Sequence, residues 1–183
     1  MNYTYTYTFL IIISIIGVNG IGNENITFKA YNDNSWNPPD SAIAVGGTHI
    51  VTAINGAISI FNKKTQVMIA TSTLSSFIVG ERGAPFDPRL VWDLHSQRFV
   101  GIVTCGFNSG TSNIILFVSR SRTPNGLGSA DWYQYIFDKV HDKQWADYPT
   151  LGIDRHNIYF SVNMFGDSGA GLVVDPLYPY WIV

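Results

Sequence analysis

The chain has 183 residues, enough for one domain with a substantial core but too few for two full ones. Charged residues make up only 13% of it and aromatic residues 14%, and the formal net charge is -2. That balance excludes the basic surface on which phosphate backbones are held, so nucleic acid is not an expected partner.

The first segment, MNYTYTYTFLIIISIIGVNG (residues 1–20), joins a polar start to an apolar run from Phe9 to Val18. Val18 and Gly20 supply small residues at the spacing a signal peptidase uses, and the segment reads as a signal peptide although its start lacks Lys and Arg. A run of about ten apolar residues is shorter than the roughly 20 that a membrane-crossing helix needs. The expectation is therefore a secreted protein with a mature domain at 21–183, the alternative being retention by an uncleaved N-terminal anchor. Export gives meaning to the sequon Asn25-Ile26-Thr27, with Asn25 as the expected glycosylation site. Cys105 is the single cysteine, so no disulfide forms within the chain, and its setting in FVGIVTCG reads as a small buried hydrophobe rather than a nucleophile.

Short runs rich in Ile, Val, Phe, Tyr and Thr then recur between Gly, Asn, Asp and Ser, and no long stretch has helical spacing. The chain reads as all-β, with one brief helical turn in TSTLSSFIVG. Ile26 to Tyr31 is a further expected strand. Three stretches match one another: PPDSAIAVGGTHIVTAINGAISIFN, FDPRLVWDLHSQRFVGIVTCG and ADYPTLGIDRHNIYFSVNMFG. Each opens with an acid near a proline (Asp40, Asp87, Asp147), enters a short apolar strand, turns through polar residues and continues into a longer strand. The separations, 47 and 60 residues, suit propeller blades, which take about 40–50 residues plus insertions.

The first unit parses as strands at Ala42 to Val45, His49 to Ile54, Ala57 to Asn62 and Val67 to Ala70. The second parses as Arg89 to Trp92, Arg98 to Thr104, Asn113 to Arg120 and Trp132 to Phe137. The third gives Asn157 to Val162 and a strand at Gly171 to Val174. The predicted fold is thus a partial β-propeller of about two and a half four-stranded antiparallel blades. Open blade edges invite self-association. Proline at the mouth of an inner strand is tolerated because it has no N–H to leave unpaired. Asp93 and Asp154 open turns, where Asp accepts from nearby backbone N–H groups.

The PPD start with AVG, the DPR start with a WD-like strand end, and the ADYPTLG start with an NMF ending follow in that order from Trp36 to Phe165. In this the chain resembles a group of secreted, mostly bacterial propeller-like proteins of sialidase-like appearance. The resemblance implies an exported β-propeller and no particular activity. The sialidase signatures themselves, Phe-Arg-Ile-Pro and the Ser-x-Asp-x-Gly-x-x-Trp box, are not met.

In a propeller the inner strands line a central channel, so acids heading three successive inner strands converge on one rim. Asp40, Asp87 and Asp147 are the expected ligand-binding residues, able to bind a cation through hard oxygen ligands, to hold sugar hydroxyls or to work as acid and base on a glycosidic bond, with Arg89 as a fork for a substrate carboxylate or a partner for Asp87. The same carboxylates could instead cap their own loops. The expected partner is a glycan or another extracellular molecule bound at the channel mouth. The rival reading is a propeller-type glycosidase or its inactive remnant, penalised because Glu24 and Glu81 are the only glutamates and neither heads an inner strand. No catalytic residue is assigned, no cofactor is expected, and His49, His95, His141 and His156 lack metal-ligand spacing. GDSGA (166–170) matches a serine-protease nucleophile loop in letters only, because Asn55 stands where an imidazole would have to take the serine proton. The aromatic strand WYQYIF reads as blade packing.

Overall fold

A computed structural model describes residues 7–14, 25–33, 36–107, 110–137 and 144–166. These form antiparallel sheets and a single four-residue helix, so the described chain is all-β. It divides into two compact units, Met1–Pro39 and Asp40–Val183. In the first, β1 (Tyr7–Ser14) pairs with β2 (Asn25–Asp33). The strand expected at Ile26 to Tyr31 is thus present within β2, paired with β1 from the expected leader.

The second unit opens with a meander of β3 (Ala42–Val45), β4 (His49–Ile54), β5 (Ala57–Asn62) and β6 (Met68–Thr73), which lie side by side in chain order. Local chemistry sets its turns. Asn55-Gly56 forms the two-residue connection between β4 and β5, with Gly56 at φ 98°, where a Cβ would be strained. Asn62 closes the next turn, its Oδ1 accepting from the N–H groups of Lys64 and Thr65, both at 2.9 Å. The expected helical turn follows as α1 (Leu74–Phe77). Thr73 caps it, accepting from the Ser76 N–H at 3.1 Å, and Leu74 and Phe77 anchor it in the core.

A second meander contains β7 (Pro85–Asp93), β8 (Arg98–Cys105), β9 (Asn113–Ser119) and β10 (Trp132–Phe137), again side by side in chain order. Asp93 starts the β7–β8 turn as expected, accepting from the N–H groups of His95 and Ser96 at 2.9 and 3.2 Å. The last pair is β11 (Gln144–Ile153) and β12 (Ile158–Gly166), joined by a turn in which Asp154 accepts from the His156 and Asn157 N–H groups at 2.7 and 2.8 Å. The strand expected at Gly171 to Val174 lies outside the described residues.

The middle sheet is covered on both faces, and its sequence shows why. In β8, Phe99, Val103 and Cys105 point one way, into a core shared with Ala44, Val51, Ala53, Ile58 and Ile60 of the first meander. Val100 and Ile102 point the other way, with Ile114 and Leu116 of β9, onto Ala146, Phe160, Val162 and Met164 of the last hairpin. Successive side chains alternate faces, so a strand buried on both sides reads as an unbroken apolar run. Phe77, Phe117 and Trp132 meet edge to face within the first core, with centroids 5.1–5.7 Å apart. Each such pair contributes about 0.5–1.5 kcal/mol beyond its buried area. Cys105 is fully buried, and burial, with the charge of Glu81 second, pushes its thiol up to about 12, in keeping with an inert small hydrophobe.

The leading strands of the three sheets are neighbours: β3 packs on β7, and β7 packs on β11. That adjacency positions the site.

Candidate functional site

Antiparallel pairing sends β4 back along β3, with Ala53 opposite Ala42, so Asn55 ends beside the residues leading into β3. Asn55 is only 3% exposed, and both ends of its amide are used. Its Nδ2 donates to Asp40 Oδ2 at 2.7 Å, and its Oδ1 accepts from the backbone N–H of Asp87 at 2.6 Å. One side chain thereby ties the mouth of β3 to β7.

β7 and β11 each carry a bulge at the matching place. Phe86 pairs with Thr104 and Arg89 with Ile102, so Asp87-Pro88 together oppose a single residue of β8. Asp147 pairs with Asn163 and Thr150 with Ser161, so Tyr148-Pro149 do the same against β12. The first bulge residue is left-handed in both, at φ 51° for Asp87 and φ 47° for Tyr148, and Asp40 before β3 has φ 42°. Proline follows in both bulges, where its missing N–H leaves no gap in the ladder. The bulge also explains why β7 begins at Pro85 rather than at Arg89: pairing resumes on the far side of Pro88.

The equivalence in space is therefore offset by one residue from that in the sequence repeat. Tyr148, not Asp147, occupies the place of Asp87. The two bulge residues follow one rule: each donates its backbone N–H to a side chain of the preceding sheet. Asp87 donates to Asn55, and Tyr148 donates to Asp87 Oδ2 at 3.1 Å.

The three expected aspartates do come together. The carboxyl of Asp40 lies within hydrogen-bond reach of that of Asp87, and Asp87 within reach of that of Asp147. Asp87, in the middle, is 7% exposed. Burial, then the adjacent Asp87 carboxyl, raises Asp40 above its ordinary range, although Asn55 and Arg89 pull the other way. Burial, then contact with Asp147, raises Asp87 as well, although the hydrogen bond with Asp40 and the N–H of Tyr148 pull the other way. The cause is elementary: removal from water and a neighbouring carboxylate both disfavour the ionised form. Among the described residues no three His, Cys, Asp or Glu side chains are arranged to hold a metal ion.

Arg89 directly follows the Asp87-Pro88 bulge. Its Nη1 donates to the Pro88 carbonyl at 2.9 Å, and its guanidinium lies over the Tyr148 ring, 4.7 Å from the centroid. Its charge reaches Asp40 as the weakest of the influences on that carboxyl. Tyr148 itself is 56% exposed and presents an aromatic ring beside the aspartates. Asn25 is the first residue of β2. His95 and His156 are exposed turn residues, whereas His49 is buried, and its burial lowers its pKa.

Sequence reasoning missed Asn55 and Tyr148. An Asn-Gly pair is a hairpin-turn signal, which accounts for the backbone of Asn55 and hides its side chain. Tyr148 was hidden by alignment on the acid instead of on the residue preceding proline, the marker shared by Asp87-Pro88 and Tyr148-Pro149. The fold and site define an all-β protein with a carboxyl cluster where the leading strands of three packed sheets meet. No family model, curated protein or solved structure matches the chain.

Proposed function

We propose that the chain is an exported protein of propeller-blade architecture that binds a glycan through the aspartate row at the head of its inner strands. The blade reading is supported by two meanders and a hairpin following one another with their leading strands adjacent, and by a middle sheet buried on both faces. Export rests on the leader-like residues 1–20, with Asn25 as a glycan acceptor and self-association covering open blade edges.

The observation that carries the binding reading is the convergence of Asp40, Asp87 and Asp147 beside the exposed Tyr148 ring. Adjacent carboxyl oxygens offer several acceptors for the hydroxyl groups of a sugar. An aromatic ring nearby offers a surface for the apolar face of a sugar. The same geometry disfavours the hydrolase reading. Glycosidase carboxyls stand roughly 5–9.5 Å apart to admit the scissile bond or a water, whereas Asp87 is in hydrogen-bond reach of both Asp40 and Asp147, leaving no such gap within either neighbouring pair.

A glycan array probed with the wild-type chain and with the Asp87→Asn, Asp147→Asn double variant tests the proposal. Asparagine keeps the shape and tolerates the left-handed backbone at Asp87. The double variant is expected to lose array binding by about tenfold or more with an unchanged circular dichroism spectrum. Undiminished binding by a folded variant removes the aspartates from the site.

A further inference from the structure

In β10, Trp132 is buried, as expected for WYQYIF, but Tyr133 and Tyr135 are 43% and 50% exposed. They share one face of the strand, and their rings stand 6.5 Å apart, tilted by 31°. Beside Tyr133, between α1 and the β9–β10 loop, lies a groove of about 390 Å³.

The walls of this groove are held in place. Gln134 spans two points of the segment after α1, donating through Nε2 to the Phe77 carbonyl at 2.7 Å and accepting at Oε1 from the Val79 N–H at 2.8 Å. Trp132 Nε1 donates to the Gly126 carbonyl at 2.9 Å, fixing the loop. Arg120 Nε donates to the Ser129 carbonyl at 2.8 Å, and the guanidinium lies over the Tyr133 ring, 3.9 Å from its centroid. Its terminal nitrogens have no protein partner among the described residues, and Arg120 is the only charged side chain lining the groove. A guanidinium fixed through Nε with its fork open is pre-organised for a planar anion, and the ordering cost is met before a ligand arrives.

We propose that this groove is a second binding site, for an acidic saccharide. The carboxylate of a uronate unit takes the fork of Arg120, and neighbouring sugar rings lie along Tyr133 and Tyr135. The apolar floor of Phe77, Leu127 and Trp132 excludes water beneath the contact. The site lies on the β10 edge of the middle sheet, away from β7 and its aspartates, so it does not depend on the aspartate row.

Calorimetric titration of the intact chain with trigalacturonate and with neutral galactotriose tests it. Trigalacturonate is expected to bind about tenfold or more tightly than its neutral counterpart, the margin of one charge-assisted bidentate contact. Arg120→Gln should abolish that preference, and Arg120→Lys, which keeps the charge but not the fork, should recover only part of it. Tyr135→Ala should weaken both ligands. The Asp87→Asn, Asp147→Asn variant should bind trigalacturonate as the wild type does, which separates this site from the first. Equal affinity for the two trisaccharides, or acidic binding untouched by Arg120→Gln in a folded protein, overturns the proposal.

Discussion

Asn55 illustrates how much one side chain settles at a sheet junction. It donates to a carboxylate in one sheet and accepts the left-handed N–H of the next, and water reaches neither contact readily. Asn55→Ala leaves the Asp87 N–H buried without its acceptor and removes one of the two influences that favour the ionised Asp40. An orphaned buried polar group costs about 1–3 kcal/mol. Urea unfolding of Asn55→Ala is expected to show a loss of at least that size with an unchanged m-value, because no additional surface is exposed. A loss below 0.5 kcal/mol, the ordinary scale of a surface substitution, would mean that the clasp is not formed. None of this could be read from VTAIN, since an Asn before Gly is sufficiently explained by its turn.

At the scale of elements the sequence was most legible where strands are bounded by chemistry on both sides. β3, β4, β5 and β10 begin and end where the alternation of β-branched runs and turn residues places them. β6 and β7 were not so legible. β6 runs Met68–Thr73 rather than Val67–Ala70, because Gln66 is left-handed (φ 62°) and Ser72 and Thr73, polar and unremarkable in sequence, still pair with Ile58 and Ala57. β7 is longer than its apolar core because a bulge carries the strand past a proline, and a bulge is a matter of register that one strand alone does not display.

Gly101 belongs to the same scale. It faces Phe117 across the β8–β9 ladder, and a Cβ built on it would lie 2.2 Å from the Phe117 ring and 2.8 Å from Leu90. The missing side chain is what lets Phe117 lie flat over β8 and complete the aromatic cluster with Phe77 and Trp132. Gly101→Val improves strand propensity yet must displace that ring, and overpacking of this kind costs roughly 1–3 kcal/mol. A lowered melting temperature with a perturbed near-ultraviolet aromatic signal is expected. Unchanged stability would show that Phe117 does not occupy the space over Gly101.

For the second unit taken whole, the repeat was the decisive signal, because three acid-led units implied three sheets whose leading strands are neighbours. The carboxyls do meet, and burial together with the neighbouring carboxyl raises the pKa of Asp40 and of Asp87. What the repeat obscured was the offset of one residue in its last copy, invisible while Asp147 was aligned with Asp87, and resolved only when the left-handed positions and the bulges are matched. The contact between Asp87 and Asp147 bridges the second and third sheets, so its titration reports on the packing of the sheets as well as on the site. Carboxyl carbon-13 resonances of aspartate followed by NMR across pH measure this most directly. Asp87 is expected to titrate above the ordinary carboxylate range of about 4, and to fall back toward it in the Asp147→Asn variant as the neighbouring charge is removed. An Asp87 that titrates in the ordinary range, or that does not respond to Asp147→Asn, would contradict the carboxyl row and the sheet arrangement that creates it.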